Sequence, residues 1–383
     1  MMKNDTNRII FHIDTNSAFL SWEAVHRLKT GDKLDLRSIP SVVGGDRKKR
    51  RGVVLAKSVP AAKYNIKTGE PIAAAIKKCP NVKIVPPNFD IYIEYSKKMF
   101  NILKQYSSKV ERYSIDEGFI DYSHIKYSFN NHIEAAHSIK DSIKRELGFT
   151  VNIGIGSNKL LAKMASDFEK PDKIHTLFDY EIKEKMWTMP IEKLFMVGKA
   201  TASKLRELNI STIGELALYD LEILQYKFKK YGILIWNYAN GIDESIVGEK
   251  IEAKMKGIGN STTISYDVKD KDKAYEILSY LVEKVTYRLT NSKNACASIS
   301  VTIKNSSFET YSHQRKLDQY VNSKEEIFKI AKELFDEVWR KDPIRLLGVR
   351  VSSLSPQDSF QISFFDLMSS NSNTPPSAFD FKS

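Results

Sequence analysis

Cysteine is nearly missing. Cys79 and Cys296 are the only two in 383 residues. They form no C-x-x-C pair and no zinc-ligand spacing, which excludes a disulfide scaffold and a cysteine-built metal centre. No apolar run reaches the roughly 20 residues that a membrane-spanning helix needs. The opening MMKNDTNRIIFHID also lacks the apolar core of a signal peptide. The expectation is a soluble, cytoplasmic protein in a reducing compartment, with no membrane association. Negative charge is the other shortage: 47 acidic against 59 basic residues give a net charge of +12. That balance points to a polyanionic partner, with nucleic acid first and an anionic lipid surface second. What is plentiful, 42% hydrophobic and 11% aromatic residues, is enough for several packed cores.

RIIFHID (8–14) reads as a short buried strand, and SAFLSWEAVHRLKTG (17–31) has helical spacing at Phe19, Trp22, Val25 and Leu28. Residues 39 to 86 read as short strands and turns carrying the basic run Arg47 to Arg51, taken as a solvated turn. From Phe89 the pattern predicts a helix (90–106), a strand (109–115), a turn at Asp116-Glu117-Gly118, a strand (119–123), a helix (132–147) and a strand (150–155). With the first strand this is β-α-β-β-α-β, a ferredoxin-like order with residues 18 to 86 inserted. Residues 175 to 240 are helical in pattern, and 241 to 256 are polar and read as a linker. A second β-α-β-β-α-β run occupies 257 to 356, with helices at 271–291 and 323–340. The Ser/Asn/Pro-rich residues 366 to 383 predict disorder.

YSIDEGFIDY (113–122) places Asp116 and Glu117 inside an apolar strand. Adjacent carboxylates repel, and burying one unpaired costs several kcal/mol or forces a proton onto it. In the ferredoxin-like order the first two strands run parallel, so Asp14 and the 116–118 turn share one edge. Three carboxylates converging there suit hard divalent cations, and two such ions can carry phosphoryl transfer. The competing reading is an exposed turn with solvated acids. Convergence with Asp14 and the surplus positive charge favour the metal site.

At this point the chain resembles the Y-family translesion DNA polymerases (the DNA polymerase IV and UmuC-like group). FHIDTNSAFLSWE, YSIDEGFIDYS, NIGIGSNKLLAKMASDFEKP and IRLLGVRVSSL fall in the family's order, with PSVVGGDRKKRRGVVLA, KYNIKTGEPI and VPPNFDIY between them. The resemblance implies an α+β, multi-domain right-hand polymerase. Its catalytic palm would be 1–17 and 87–174, and its small fingers 18–86. A thumb with a helix-hairpin-helix would take 175–240, a linker 241–256 and a DNA-binding little finger 257–356. A flexible tail, 357–383, would carry a clamp-binding peptide. It further implies Asp14, Asp116 and Glu117 as the catalytic acids and as ligands of two Mg²⁺ ions, Thr15 offering its carbonyl, and Glu117 also lying beside the primer 3′ end. Lys159 would contact the incoming triphosphate. Phe19, otherwise a core aromatic, would be the ring that rejects a ribose 2′-hydroxyl. The implied partners are primer-template DNA, deoxynucleotides and a β sliding clamp, for a monomeric enzyme of low fidelity. No stretch is left over for a proofreading exonuclease.

Some positions depart from the family. The Thr-x-x-Tyr-x-x-Arg pattern of the fingers is replaced by Ala56, Val59 and Ala62, leaving Lys57 or Lys63 as point charges. Met196-Val197-Gly198 stands where the helix-hairpin-helix has Gly-x-Gly, with Gly198 and Lys199 as candidate phosphate contacts. Lys304, His313, Arg315 and Lys316 interleave with Tyr311 as candidate DNA contacts of the little finger. QISFF resembles a clamp-binding peptide through Gln361, Phe364 and Phe365. Two rivals are a non-catalytic DNA- and clamp-binding scaffold, motivated by the altered fingers, and a two-metal nuclease.

Overall fold

The computed structural model describes residues 8–45, 52–123, 129–248 and 255–356. The clamp-like residues Gln361, Phe364 and Phe365, the run 46–51 and residues 249–254 of the linker lie outside them. The described residues fall into two compact units, 8–248 and 255–356.

The first unit opens with β1 (Ile10–Thr15) and α1 (Ala18–Lys29), then β2 (Ser41–Gly44), β3 (Val54–Lys57), α2 (Val59–Ala62), α3 (Ile72–Lys78) and β4 (Lys83–Val85). It continues with α4 (Phe89–Tyr106), β5 (Val110–Arg112), β6 (Glu117–Asp121), α5 (His132–Leu147), β7 (Val151–Gly156), α6 (Lys159–Ser166) and β8 (Ile174–Leu177). Five strands form one sheet in the order β5-β6-β1-β7-β8. Every residue of β1 is buried, as expected of a central strand with both faces covered. β1 is antiparallel to β6, and β6 to β5, so β1 and β5 run in parallel. β8, which the sequence pattern does not predict, extends the sheet parallel to β7.

The hairpin differs from the expected one. β5 ends at Arg112 and β6 begins at Glu117, so Glu117 is already in the strand and the turn is 113–116. Ser114 builds that turn: its hydroxyl accepts from the Asp116 and Glu117 amides and donates to Asp116 Oδ1 at 2.6 Å. Serine closing its own turn in this way is ordinary local chemistry.

α1, which falls in the 18–86 segment, packs its Leu20, Trp22 and Val25 into the palm core with Tyr92, Tyr95 and Phe149. The separate small core of the insertion is Val42, Val54, Ala61, Ile66, Ile72, Ala75, Cys79 and Val82, under the sheet β3-β2-β4. α6 lies close on β7 because Gly154 and Gly156 have no side chains; a Cβ on Gly154 would collide with the Ala162 carbonyl. α7 (Lys199–Arg206), α8 (Ile213–Ala217), α9 (Leu221–Phe228) and α10 (Lys230–Ala239) complete the unit. A reciprocal Thr212–Glu215 box starts α8.

The second unit comprises β9 (Gly257–Val268), α11 (Lys271–Asn291), β10 (Asn294–Asn305), β11 (Thr310–Val321), α12 (Lys324–Val338) and β12 (Ile344–Pro356). Its strand order is β11-β10-β12-β9. The element order of the palm recurs, but the lateral order does not: here the first strand is at an edge and the last is inside. Ile299, Val301 and Ile303 face the helices and are fully buried, opposite Val351, Val349 and Leu347 of β12. The alternate residues Ser298, Ser300, Thr302 and Lys304 form the other face.

Candidate active site

β1 and β6 place Asp14 directly opposite Glu117, so both carboxylates lie on one face of the sheet. The Thr15 amide donates to the Asp116 carbonyl at 3.1 Å, tying the strand end to the hairpin. The expected edge is therefore present. The carboxylates do not close on a single point, however, and no three His, Cys, Asp or Glu side chains form a metal cage among the described residues. Lysines from α6 and the following loop occupy two of them. Lys170 pairs with Asp14 and with Asp167, and Lys163 Nζ lies 2.5 Å from Glu117 Oε2.

Enclosure acts on these acids in opposite directions. Burial pushes the Asp14 pKa up to about 6, only partly offset by Lys170 and raised further by Glu117 and Asp167. The desolvation falls on the carboxylate because Asp14 is nearly enclosed, whereas the Lys170 side chain keeps 38% of its exposure. Glu117 also resists burial, but His12 and Lys163 outweigh it and bring its pKa down to about 2. A buried carboxylate whose cation does not fully compensate it is a site that a hard divalent ion fits, and Asp14, Asp116 and the Thr15 carbonyl supply only oxygen donors.

A cavity of about 250 Å³ opens beside this edge, lined by Thr15, Phe19, Lys57 and Asp116 among others. Phe19 reaches it from the first turn of α1. Its ring stacks on buried Tyr92 at 4.7 Å and 10°, with Phe89 edge-on at 5.9 Å. Tyr92 is itself held by Glu23, 3.2 Å from its hydroxyl. The altered fingers positions Ala56, Val59 and Ala62 line the same cavity. That wall offers no guanidinium fork, and Lys57 is its cation.

Two assignments change. Lys159 does not line the cavity: its ammonium sits 2.7 Å from both Glu111 oxygens and over the Phe119 ring. The lysines that meet the carboxylates are Lys163, one helical turn on, and Lys170 beyond the helix. The i, i+4 spacing of Lys159 and Lys163 is visible in the sequence, but the Glu111 that claims Lys159 is not. Arg315 also leaves its expected place. It pairs across β10 with Ile299, on the helix-facing side, and its guanidinium joins Glu333 (2.5 Å) and Glu337 of α12. His313 is on the same side, 3.0 Å from Glu337. Lys304 and Lys316 remain on the open face, and Arg350, which no motif singles out, joins them through its partner Ser300. In the helical segment Met196 takes the left-handed backbone (φ 73°) that glycine would normally fill. Gly198 caps α7 with open space where a Cβ would be, and Lys199 is the first helical residue.

Comparison with known proteins supplies the family. The impB/mucB/samB family model matches residues 13–167, its C-terminal domain model 255–364, and a DNA polymerase-iota thumb-domain model 192–243. A DNA polymerase IV from Clostridium acetobutylicum is 52% identical over 94% of this chain and 90% of its own length. DNA polymerase IV 1 of Bacillus subtilis is 36% identical over 91% of this chain and 82% of its own. Among solved structures, a Y-family DNA polymerase chimera superposes with a TM-score of 0.79 over 91% of this chain and 99% of that one; at 23% identity it speaks for the fold alone. This chain belongs to the impB/mucB/samB family, the bacterial Y-family polymerases of the DNA polymerase IV type.

Proposed function

We propose that this protein is a template-directed, low-fidelity DNA polymerase that extends a primer 3′-hydroxyl with deoxynucleotides past damaged template positions. The observation that carries the reading is the edge itself: Asp14 opposite Glu117, Asp116 on the adjoining turn, and a cavity lined in part by Phe19 beside them. Asp14, Asp116 and the Thr15 carbonyl would hold two Mg²⁺ ions, with Glu117 at the outer edge of the site. The ions supply activation of the attacking oxygen and stabilisation of the departing pyrophosphate.

This chain's own residues do the rest. Glu117, kept ionised, accepts a hydrogen bond from the primer hydroxyl. Lys170, beside Asp14, and Lys57, in the cavity wall, would meet the polyphosphate. They act as point charges where a bidentate fork is missing. Phe19, braced by Tyr92 and Phe89, fills the volume a ribose 2′-oxygen would need. Lys304, Lys316 and Arg350 form a basic open sheet face that grips DNA phosphates without reading sequence. Gly198 and Lys199 offer an uncluttered helix start for a further phosphate. Gln361, Phe364 and Phe365 would engage a sliding clamp, and the enzyme would work as a cytoplasmic monomer.

Primer extension with Mg²⁺ and four deoxynucleotides tests the reading. Extension should be lost in Asp116→Ala/Glu117→Ala while primer-template binding persists. Wild-type protein that binds DNA and never extends it would overturn it.

A further inference from the structure

One polar side chain of β1 touches neither nucleotide, primer nor metal in the reading above, though it helps to hold the Glu117 pKa down. His12 stands between Ile10 and Asp14 on the α6-facing side of the strand and is fully buried. Its Nδ1 lies 2.8 Å from the Ser166 hydroxyl. Its Nε2 faces Glu117 Oε2 at 3.4 Å and has no partner within ordinary hydrogen-bond length. Phe119 packs beside the ring, 4.7 Å between centroids. Buried ring nitrogens are normally matched, and the group this one faces is the carboxylate assigned to the primer end.

The protons can be counted. Ser166 Oγ is also 2.8 Å from the Lys163 carbonyl, so one hydroxyl proton has two acceptors. Given to Lys163, it obliges Nδ1 to carry the ring proton, and a bare Nε2 lone pair then confronts a carboxylate in a buried site. Given to Nδ1, it leaves the ring proton on Nε2, directed at Glu117. The carboxylate's charge selects the second arrangement, because the bond made by one ring nitrogen sets the state of the other. Contacts of this kind are often long without substrate and tighten when it binds.

We propose that His12 is a positioning residue: its Nε2–H holds Glu117 Oε2 from beneath, and Ser166 fixes the ring's tautomer. Lys163 meets the same oxygen, so the two donors together orient the carboxylate and leave Oε1 for the primer 3′-hydroxyl. The inference rests on the polymerase reading, with Glu117 at the primer terminus.

The test is single-turnover primer extension by full-length His12→Phe, His12→Gln and Ser166→Ala, each made in the wild type and in Glu117→Gln. His12→Phe fills the space without a donor and should lower the maximal rate about tenfold, the scale of losing a supporting partner. Half-saturation by deoxynucleotide should stay within about twofold, as for an interaction made only in the transition state. His12→Gln, whose amide N–H falls near the Nε2 position, should keep the rate within about threefold of wild type, and Ser166→Ala should fall between the two. In Glu117→Gln, His12→Phe should change the residual rate by less than about twofold, the non-additivity of coupled residues. A His12→Phe enzyme as fast as wild type overturns the proposal. So does an equal loss in both backgrounds, which would mark a packing effect. Melting curves and primer-template affinity identify a variant that fails to fold, and Ser166→Ala then tests the link without altering the central strand. Failure of wild-type extension would instead strike the polymerase reading.

Discussion

Two regions of this molecule share one element order and build different surfaces. In the palm the first strand is central, flanked by β6 and β7, and all six of its residues are buried. In the second unit the first strand is an edge, and the last strand takes the inner place. Strand directions agree in the two sheets; lateral order does not. The chemistry follows from that difference. A central β1 sets Asp14 against Glu117, with Lys163 of α6 on Glu117 and Lys170 of the following loop on Asp14. In the second unit the helices cover one face, and the other keeps Ser300, Thr302 and Lys304. One arrangement concentrates opposite charges in an enclosed edge, and the other spreads positive charge over an open surface.

The largest expected effect would separate the two regions. Asp116→Ala/Glu117→Ala should lower extension by at least about 10³-fold, because the oxygen donors for transition-state charge are lost. Primer-template affinity, measured by fluorescence anisotropy, should remain within about twofold. If affinity collapsed as well, the two surfaces would not be independent.

Next comes the open face. Lys304→Ala/Lys316→Ala/Arg350→Ala should reduce the slope of log affinity against log salt by about 2 to 3, roughly 0.9 for each DNA phosphate no longer neutralised. Arg315→Ala should leave that slope unchanged, since its guanidinium is engaged with Glu333 and Glu337. Equal slopes for the two variants would undo the assignment of faces. For Phe19→Ala, ribonucleotide use relative to deoxynucleotide should rise about 10²-fold, the scale on which a fitted pocket rejects one hydroxyl. Competition between the two nucleotides measures it.

A smaller effect concerns protons. The Asp14 carboxyl, at about 6 in the folded protein against 3.8 ordinarily, binds its proton more tightly when folded. The ionised form therefore opposes folding; the cost is full above pH 6 and is relieved as pH falls toward 4. It amounts to about 3 kcal/mol at most, at 1.36 kcal/mol per unit. Asp14→Asn should accordingly raise the melting temperature of the metal-free protein at pH 7.5, by about 6 to 12 °C at most at roughly 2 to 4 °C per kcal/mol recovered. The gain should shrink at pH 5. A melting temperature that falls in Asp14→Asn would mean that the Lys170 pair outweighs the burial.

Much of this was legible in the sequence, and the exceptions have physical causes. RIIFHID announces a buried central strand by having almost no polar alternation. The polar pattern of GIGNSTTISYDV could equally have announced an edge. Element order fixes neither, so the two sheets looked alike until burial was considered. Asp14, Asp116 and Phe19 sit where the motifs place them because strand ends and the first helical turn are set locally. Lys159 and Arg315 were misplaced because their positions depend on Glu111, Glu333 and Glu337, partners distant in sequence that claim a cation by geometry. Ser114, His12 and Lys170 act through contacts that no spacing rule encodes.

The lysines on Asp14 and Glu117 make this a protein that carries its own counter-ions. Where metal alone neutralises clustered acids, a chelator removes part of the fold along with the activity. Here Lys170 and Lys163 stay behind and keep their pairs with Asp14 and Glu117. Stripping divalent ions should then idle the enzyme without unfolding it, and returning them should restart it at once.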